Sequence, residues 1–408
     1  MTIPVTQRAG RFSRLRRTLT VILVLGLALL VLAGGYTGYA AVRHVQPVAL
    51  PAPTGRYPVG RVMFEWTDQH STDPLAPRPG TKRTLSVWLW YPAKPHSQGP
   101  GTQYAPGAWS GLHFPSPASI GETRFSSIRT HSRTRAAVAH GLFPIVVLGP
   151  GLGLAAPQYT TLAEDVASHG YLVAGMTPTY SANLTVLDGH AVPSTAAGNP
   201  SHFTTAAGNR LIPVWTADAR FTATRVAALG REGRFSGHID ARETAYIGHS
   251  FGGATSIQAC ASDPRCAGAV DLDGTPFGPV VQRGLHAPLM IIGADGSCTT
   301  GTCQPTSAVE RRIRASARSL LAASTGPTWC YSIDGAKHFN FTDYAAYYLA
   351  APLRTLVPLG SIDGRRGLSI TDGYVTAFLD HAILGRSEPQ LAGRANRYPD
   401  VRVLRLPG

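Results

Sequence analysis

One stretch constrains this chain more than any other: Thr244 to Thr255, T-A-Y-I-G-H-S-F-G-G-A-T. A short apolar run with β-branched and aromatic residues leads in, the signal of a buried strand. Ala254, Thr255, Ile257, Ala259 and Cys260 continue as a helix. Between them lies Gly248-His249-Ser250-Phe251-Gly252, a G-x-S-x-G pattern. A serine on so sharp a strand-to-helix turn has a strained backbone and close neighbours. Glycines two before and two after leave room for the chain to pass. The hydroxyl is pushed out above the sheet edge, over the start of the next helix. In a chain with 44 glycines the pattern alone is weak. The strand before it, the helix after it and a third glycine, Gly253, make it strong. A purely structural turn would not require serine, so Ser250 reads as a nucleophile.

A serine hydroxyl needs a base, and the base needs an orienting acid. After a strand-to-helix serine both partners are expected further along the chain, acid first. Of the later histidines, His286 begins a strand and His381 sits in the last helix. His338 lies in Gly335-Ala336-Lys337-His338-Phe339-Asn340-Phe341, a loop after the last expected strand, where a base can reach over the sheet edge. Two carboxylates end strands: Asp273, 23 residues after Ser250, and Asp295, one strand later. Spacing leaves both open, with the general pattern slightly favouring Asp295; Asp271 alternates onto the other side of its strand.

The rest of the chain beyond its N-terminal segment alternates strands and helices. Strands are expected at Arg61–Trp66 and Leu85–Tyr91 (an antiparallel pair at the sheet edge), Pro144–Leu148, Tyr171–Met176, Gly268–Leu272, Pro288–Ile292 and Thr328–Ile333. Helices are expected at Gln158–His169, Ala217–Leu229, within Ser307–Ala323, and at Leu368–Leu384. Lys94 to about Ser119 reads as a surface loop, and Asn183–Ile212 as a long polar excursion lying over the active site. The pattern implies an α/β fold, a mostly parallel sheet with helices on both faces, with no internal repeat or second domain boundary.

The N-terminus stands apart. Five arginines precede residue 18, and Leu19–Ala33 is an apolar run. Residues 1–45 read as a signal peptide cleaved near Gly38 and Ala40, or as an uncleaved membrane anchor, with the long basic segment favouring the anchor. Arg16-Arg17 is a weak twin-arginine hint. Val45–Thr54, rich in proline, reads as an extended linker to a catalytic domain over 46–408. Export favours disulfides, 260–266 and 298–303 first, with Cys330 left over as a buried filler; a bridge from Cys330 to either later cysteine is the alternative. The spacings lack zinc-site form, and no metal or cofactor is expected. The formal net charge is +14, yet only Lys82, Lys94 and Lys337 of the 37 basic residues are lysine. The later arginines are scattered without runs, so nucleic acid is not the expected partner.

The chain resembles the platelet-activating factor acetylhydrolase family of plasma and intracellular type, within the α/β-hydrolases. The resemblance rests on Gly248-His249-Ser250-Phe251-Gly252-Gly253-Ala254-Thr255, Leu272-Asp273, His338-x-Asn340-Phe341-x-Asp343, Pro144–Gly153, and Leu162-Ala163-x-x-Val166-Ala167-Ser168-His169-Gly170-Tyr171. It runs from about Gly60 to Gly385. It implies Asp273 as the acid, and backbone N–H groups of Leu152 and Phe251 as the oxyanion hole. That family tends to have His-Gly-Leu-Gly where this chain has Pro150-Gly151-Leu152-Gly153; the backbone donor survives, while the way the turn is held is open. The resemblance also implies hydrolysis of short or oxidised acyl esters of phospholipids, or of related small esters. A lipase or cutinase-like enzyme using Asp295, and a non-catalytic binding module on the same fold, are the alternatives. Acyl length, alcohol group and oligomeric state are not legible.

Overall fold

The computed structural model describes residues 6–95, 97, 99–113, 122–348, 357–393 and 397–404. The strands are β1 (Val48–Ala49), β2 (Val59–Thr72), β3 (Lys82–Pro92), β4 (Gly101–Gln103), β5 (Ile128–Thr134), β6 (Phe143–Gly149), β7 (Leu172–Thr177), β8 (Leu184–Leu187), β9 (His190–Pro193), β10 (Ile239–His249), β11 (Cys266–Leu272), β12 (Leu289–Gly293), β13 (Thr328–Ile333) and β14 (Val401–Val403). The longer helices are α1 (Thr6–Val45), α2 (Thr160–Ser168), α3 (Thr205–Leu229), α4 (Phe251–Ser262), α5 (Ala308–Ala323) and α6 (Gly364–Leu384).

One sheet takes all the strands except the β8–β9 hairpin, in the order β1-β5-β2-β3-β7-β6-β10-β11-β12-β13-β14, with β4 beside β5. From β7 to β13 neighbouring strands are parallel; β3–β7 and β13–β14 are antiparallel. Two-residue alternation splits the buried strand residues between two cores. Val146 and Leu148 join α2 and α6 on one face. Ile145 and Val147 join α3 and α4 on the other. With both faces covered, the central strands are mostly apolar where they are buried, the polar start of β10 and the buried Asp271 of β11 being exceptions. This is the expected α/β-hydrolase architecture.

The chain runs from β6 outward to β7, then returns to β10 on the opposite side of β6. That reversal opens a crevice at the carboxyl ends of β6 and β10, where open α/β sheets bind their ligands. The turn after β6 is Pro150–Gly153, and the residue after β10 is Ser250.

Several expectations need correction. The β2–β3 pair is antiparallel but not at the edge, because β5 and β1 lie outside it. The stretch after Lys94 is not merely surface loop: it contains β4, and Tyr104 and Trp109 are buried; its residues 114–119 fall outside the described residues. The Asn183–Ile212 excursion contains the β8–β9 hairpin and the first turns of α3. That helix begins where Thr204 accepts a hydrogen bond from the Ala207 amide. Its polar opening and its internal Pro213 hid it from a periodicity argument. Residues 45–54 are not a free linker, since β1 pairs with β5 and Leu50 is buried. The edge strands β1 and β14, and β5 beside β1, escaped notice because they are short or polar.

Candidate active site

Ser250 sits between β10 and α4 with φ 56° and ψ −120°, a conformation few non-glycine residues adopt. The surroundings hold it there. A Cβ on Gly248 would lie 2.3 Å from the Gly252 carbonyl carbon, and one on Gly252 would lie 2.2 Å from the Gly149 oxygen. Gly248 is therefore required by the tightness of the turn itself, and Gly252 by its close passage beside the end of β6.

His338 is brought to Ser250 by the loop after β13. Its Nε2 lies 3.0 Å from Ser250 Oγ, and its Nδ1 lies 2.7 Å from Asp273 Oδ2. A carboxylate only accepts, so Nδ1 carries the proton and Nε2 faces the serine as an acceptor. The other Asp273 oxygen accepts from the Ala294 amide at 3.1 Å, which fixes the carboxylate plane. Asp273 has φ 56°, a turn that aims its side chain back over the sheet. Asn340 braces the histidine loop, its Oδ1 accepting from the amides of Lys337 and Gly360, both at 2.8 Å. Asp295 lies elsewhere: half-exposed, it is paired with Arg402 of β14 and accepts from the Gly335 amide. Asp271 is fully buried, accepts from the Gly274 amide, and burial raises its pKa well above the usual carboxylate range.

Leu152 and Phe251 line the same cavity of about 460 Å³ as Ser250 and His338. Among the described residues neither of their amides donates to another backbone group. A larger groove of about 860 Å³ adjoins this cavity, sharing Phe203, Thr275, Phe277 and Ile313 with it. Phe203 ends the excursion before α3 and meets Phe251 and Phe277 edge-on. No sequence signal marked Phe203, Phe277 or Ile313 as wall residues; only the folded crevice collects them.

Cys260–Cys266 and Cys298–Cys303 form disulfides, and Cys330 is free, its thiol pushed up to about 12 by burial. Cys298 is among the residues that line the cavity. Among the described residues no group of three or more His, Cys, Asp or Glu side chains is arranged to hold a metal ion.

Residues 232–390 match the family model described as platelet-activating factor acetylhydrolase, isoform II. The chain is a relative of the platelet-activating factor acetylhydrolases. A probable 1-alkyl-2-acetylglycerophosphocholine esterase of Arthroderma benhamiae is 26% identical over 286 residues, covering 65% of this chain and 67% of that protein. The Bos taurus platelet-activating factor acetylhydrolase is 26% identical over 378 residues, covering 83% and 78%. A solved ferulic acid esterase from Streptomyces cinnamoneus superposes with a TM-score of 0.74 at 28% identity, covering 88% of this chain and 99% of that one. The chain is accordingly a carboxylic-ester hydrolase, and the expected resemblance holds.

Proposed function

We propose that the esterase cleaves small carboxylic esters, including short or oxidised acyl esters of phospholipids, through a Ser250–His338–Asp273 triad. The observation that carries this reading is the unbroken line of hydrogen bonds from Ser250 Oγ through His338 to Asp273. His338 Nε2 takes the hydroxyl proton as Ser250 Oγ bonds to the ester carbonyl carbon. The oxygen that gains charge is held by the Leu152 and Phe251 amides, the latter at the start of α4. His338 then gives the proton to the departing alcohol oxygen as the C–O bond breaks, leaving an acyl-serine. Water then bonds to the acyl carbon as the same nitrogen takes its proton; the acyl–Oγ bond breaks, the proton returns to Ser250 Oγ, and the acid is released. Asp273 holds the imidazole and offsets its charge while it is protonated.

The groove beyond Phe203 and Phe277 suits an apolar arm of the substrate. The N-terminal segment fits an exported enzyme: Arg14–Val45 is a helix with mean hydropathy 2.5 over its most apolar window, long enough to cross a membrane. We read it as an anchor or leader for a catalytic domain over 46–408, near a lipid surface that would supply such esters.

The test is a panel of p-nitrophenyl esters of increasing acyl length, with a short-acyl phospholipid included, on wild type and Ser250→Ala. The wild type turns over short esters and the phospholipid. Ser250→Ala retains no more than about a thousandth of the rate, the residue expected without a nucleophile. A variant that keeps substantial activity removes Ser250 from the mechanism.

A further inference from the structure

The turn Pro150–Gly153 is held by a buried chain of hydrogen bonds. The Gly151 amide donates to Tyr159 Oη at 2.8 Å. Tyr159 Oη lies 2.8 Å from His249 Nδ1, and His249 Nε2 lies 2.9 Å from the His338 carbonyl oxygen. The two ends fix the direction. An amide only donates and a carbonyl only accepts. Tyr159 therefore receives from Gly151 and donates to His249 Nδ1, and His249 donates from Nε2 to His338. The imidazole has one N–H and one lone pair, both used. His249 and Tyr159 are fully buried, and burial keeps the imidazole neutral and the phenol protonated. The His249 and His338 rings lie 4.5 Å apart between centroids. The fit at the turn is close: a Cβ on Gly151 would come within 3.0 Å of His249 Nδ1.

We propose that Tyr159 and His249 are positioning residues for ester hydrolysis, a relay that holds the turn bearing the Leu152 amide and the loop bearing His338 in register with Ser250. It rests on the triad and oxyanion reading above and goes beyond it. The relay begins at Gly151, beside the Leu152 donor. It passes through the residue before the nucleophile and ends on the backbone of the base. It also braces a turn that carries proline at position 150. The donor that steadies the turn is Gly151, and its acceptor comes from the start of α2.

The experiment measures kcat and KM on p-nitrophenyl acetate for wild type, Tyr159→Phe, His249→Gln, His249→Leu and the Tyr159→Phe/His249→Leu pair. Tyr159→Phe keeps the ring and leaves the Gly151 amide without its acceptor. Its kcat is expected to fall about tenfold or more with KM within about twofold, the pattern of a contact that matters in the transition state. Glutamine at 249 both accepts and donates, whereas leucine does neither. His249→Gln should keep kcat within about tenfold of wild type while His249→Leu loses about a hundredfold. The pair should be little worse than His249→Leu alone, since one break already opens the relay. Circular dichroism and Tm establish that each variant is folded; if Tyr159→Phe is not, the two His249 variants decide. Wild-type kcat in folded Tyr159→Phe, or equal losses for glutamine and leucine, overturns the proposal. Absence of turnover in the wild type would instead remove the triad reading beneath it.

Discussion

At the scale of single residues, the site turns on which carboxylate faces His338. Asp273 and Asp295 both end strands, and both carry backbone hydrogen bonds. What separates them is a partner: Asp295 is engaged by Arg402, 107 residues further along, whereas Asp273 is nearly buried against the imidazole. No local pattern around Asp295 announces that arginine, so spacing left the pair unresolved. Ser250 and His338 were legible because each sits in a local pattern tied to an element boundary. Tyr159 was not, because its hydrogen-bond partner is a histidine 90 residues away. Asparagine at 273 would present the wrong partner to the imidazole N–H. Asp273→Asn should therefore lower kcat on a soluble short-chain ester by ~10⁴, while Asp295→Asn costs about tenfold or less. Steady-state rates at pH 8 for both variants provide the check, and the opposite ranking would move the acid to Asp295.

At the scale of elements, the histidine loop is tied to α2 through Asp343. Its two oxygens accept from the amides of Thr160 and Thr161, at 2.8 Å and 3.1 Å, at the start of that helix, where amides need partners from outside it. Burial outweighs those bonds and pushes the carboxyl up to about 7. The folded-state pKa lies above that of an unfolded aspartate. The native protein thus holds a proton that the unfolded chain has released between about pH 4 and pH 7, and stability falls as pH rises through that window. Asp343→Asn should flatten that part of the Tm-against-pH curve, although the asparagine variant loses one acceptor. Asp271 and Asp372 are also raised by burial; Asp271 is common to both proteins, whereas the Asp343 charge helps to raise Asp372, so the difference between the curves reads Asp343 together with its effect on Asp372. Parallel slopes would mean that Asp343 does not titrate there. The central strands and the long helices were readable from periodicity, because each carries a full apolar face. The opening of α3 and the strands β1 and β5 were not, because their partners, rather than their own residues, make them regular.

At the scale of the whole molecule, the catalytic part and the apolar helix meet at a small junction. Ala40 is buried, His44 Nδ1 lies 2.6 Å from the Glu122 carbonyl oxygen, and the Arg124 amide donates to the His44 carbonyl. Beyond it, Leu19 to Leu32 stands exposed. A chain beginning at residue 46 keeps β1 and both cores. It should be soluble without detergent and retain wild-type kcat on p-nitrophenyl acetate, whereas the full chain should partition into lipid vesicles. Aggregation of the shortened chain under oxidising conditions would show that the helix belongs to the folded unit. The hydrogen bonds that assemble the site join residues 65 and 88 positions apart, across separate βα units of one sheet. Loop closure of that length is slow compared with forming any one helix or hairpin. If turnover runs through the proposed triad, it is a late reporter of this protein's folding: a compact chain with most of its helix content already in place does not bring Ser250, Asp273 and His338 together until β11, β12 and β13 have all docked beside β10.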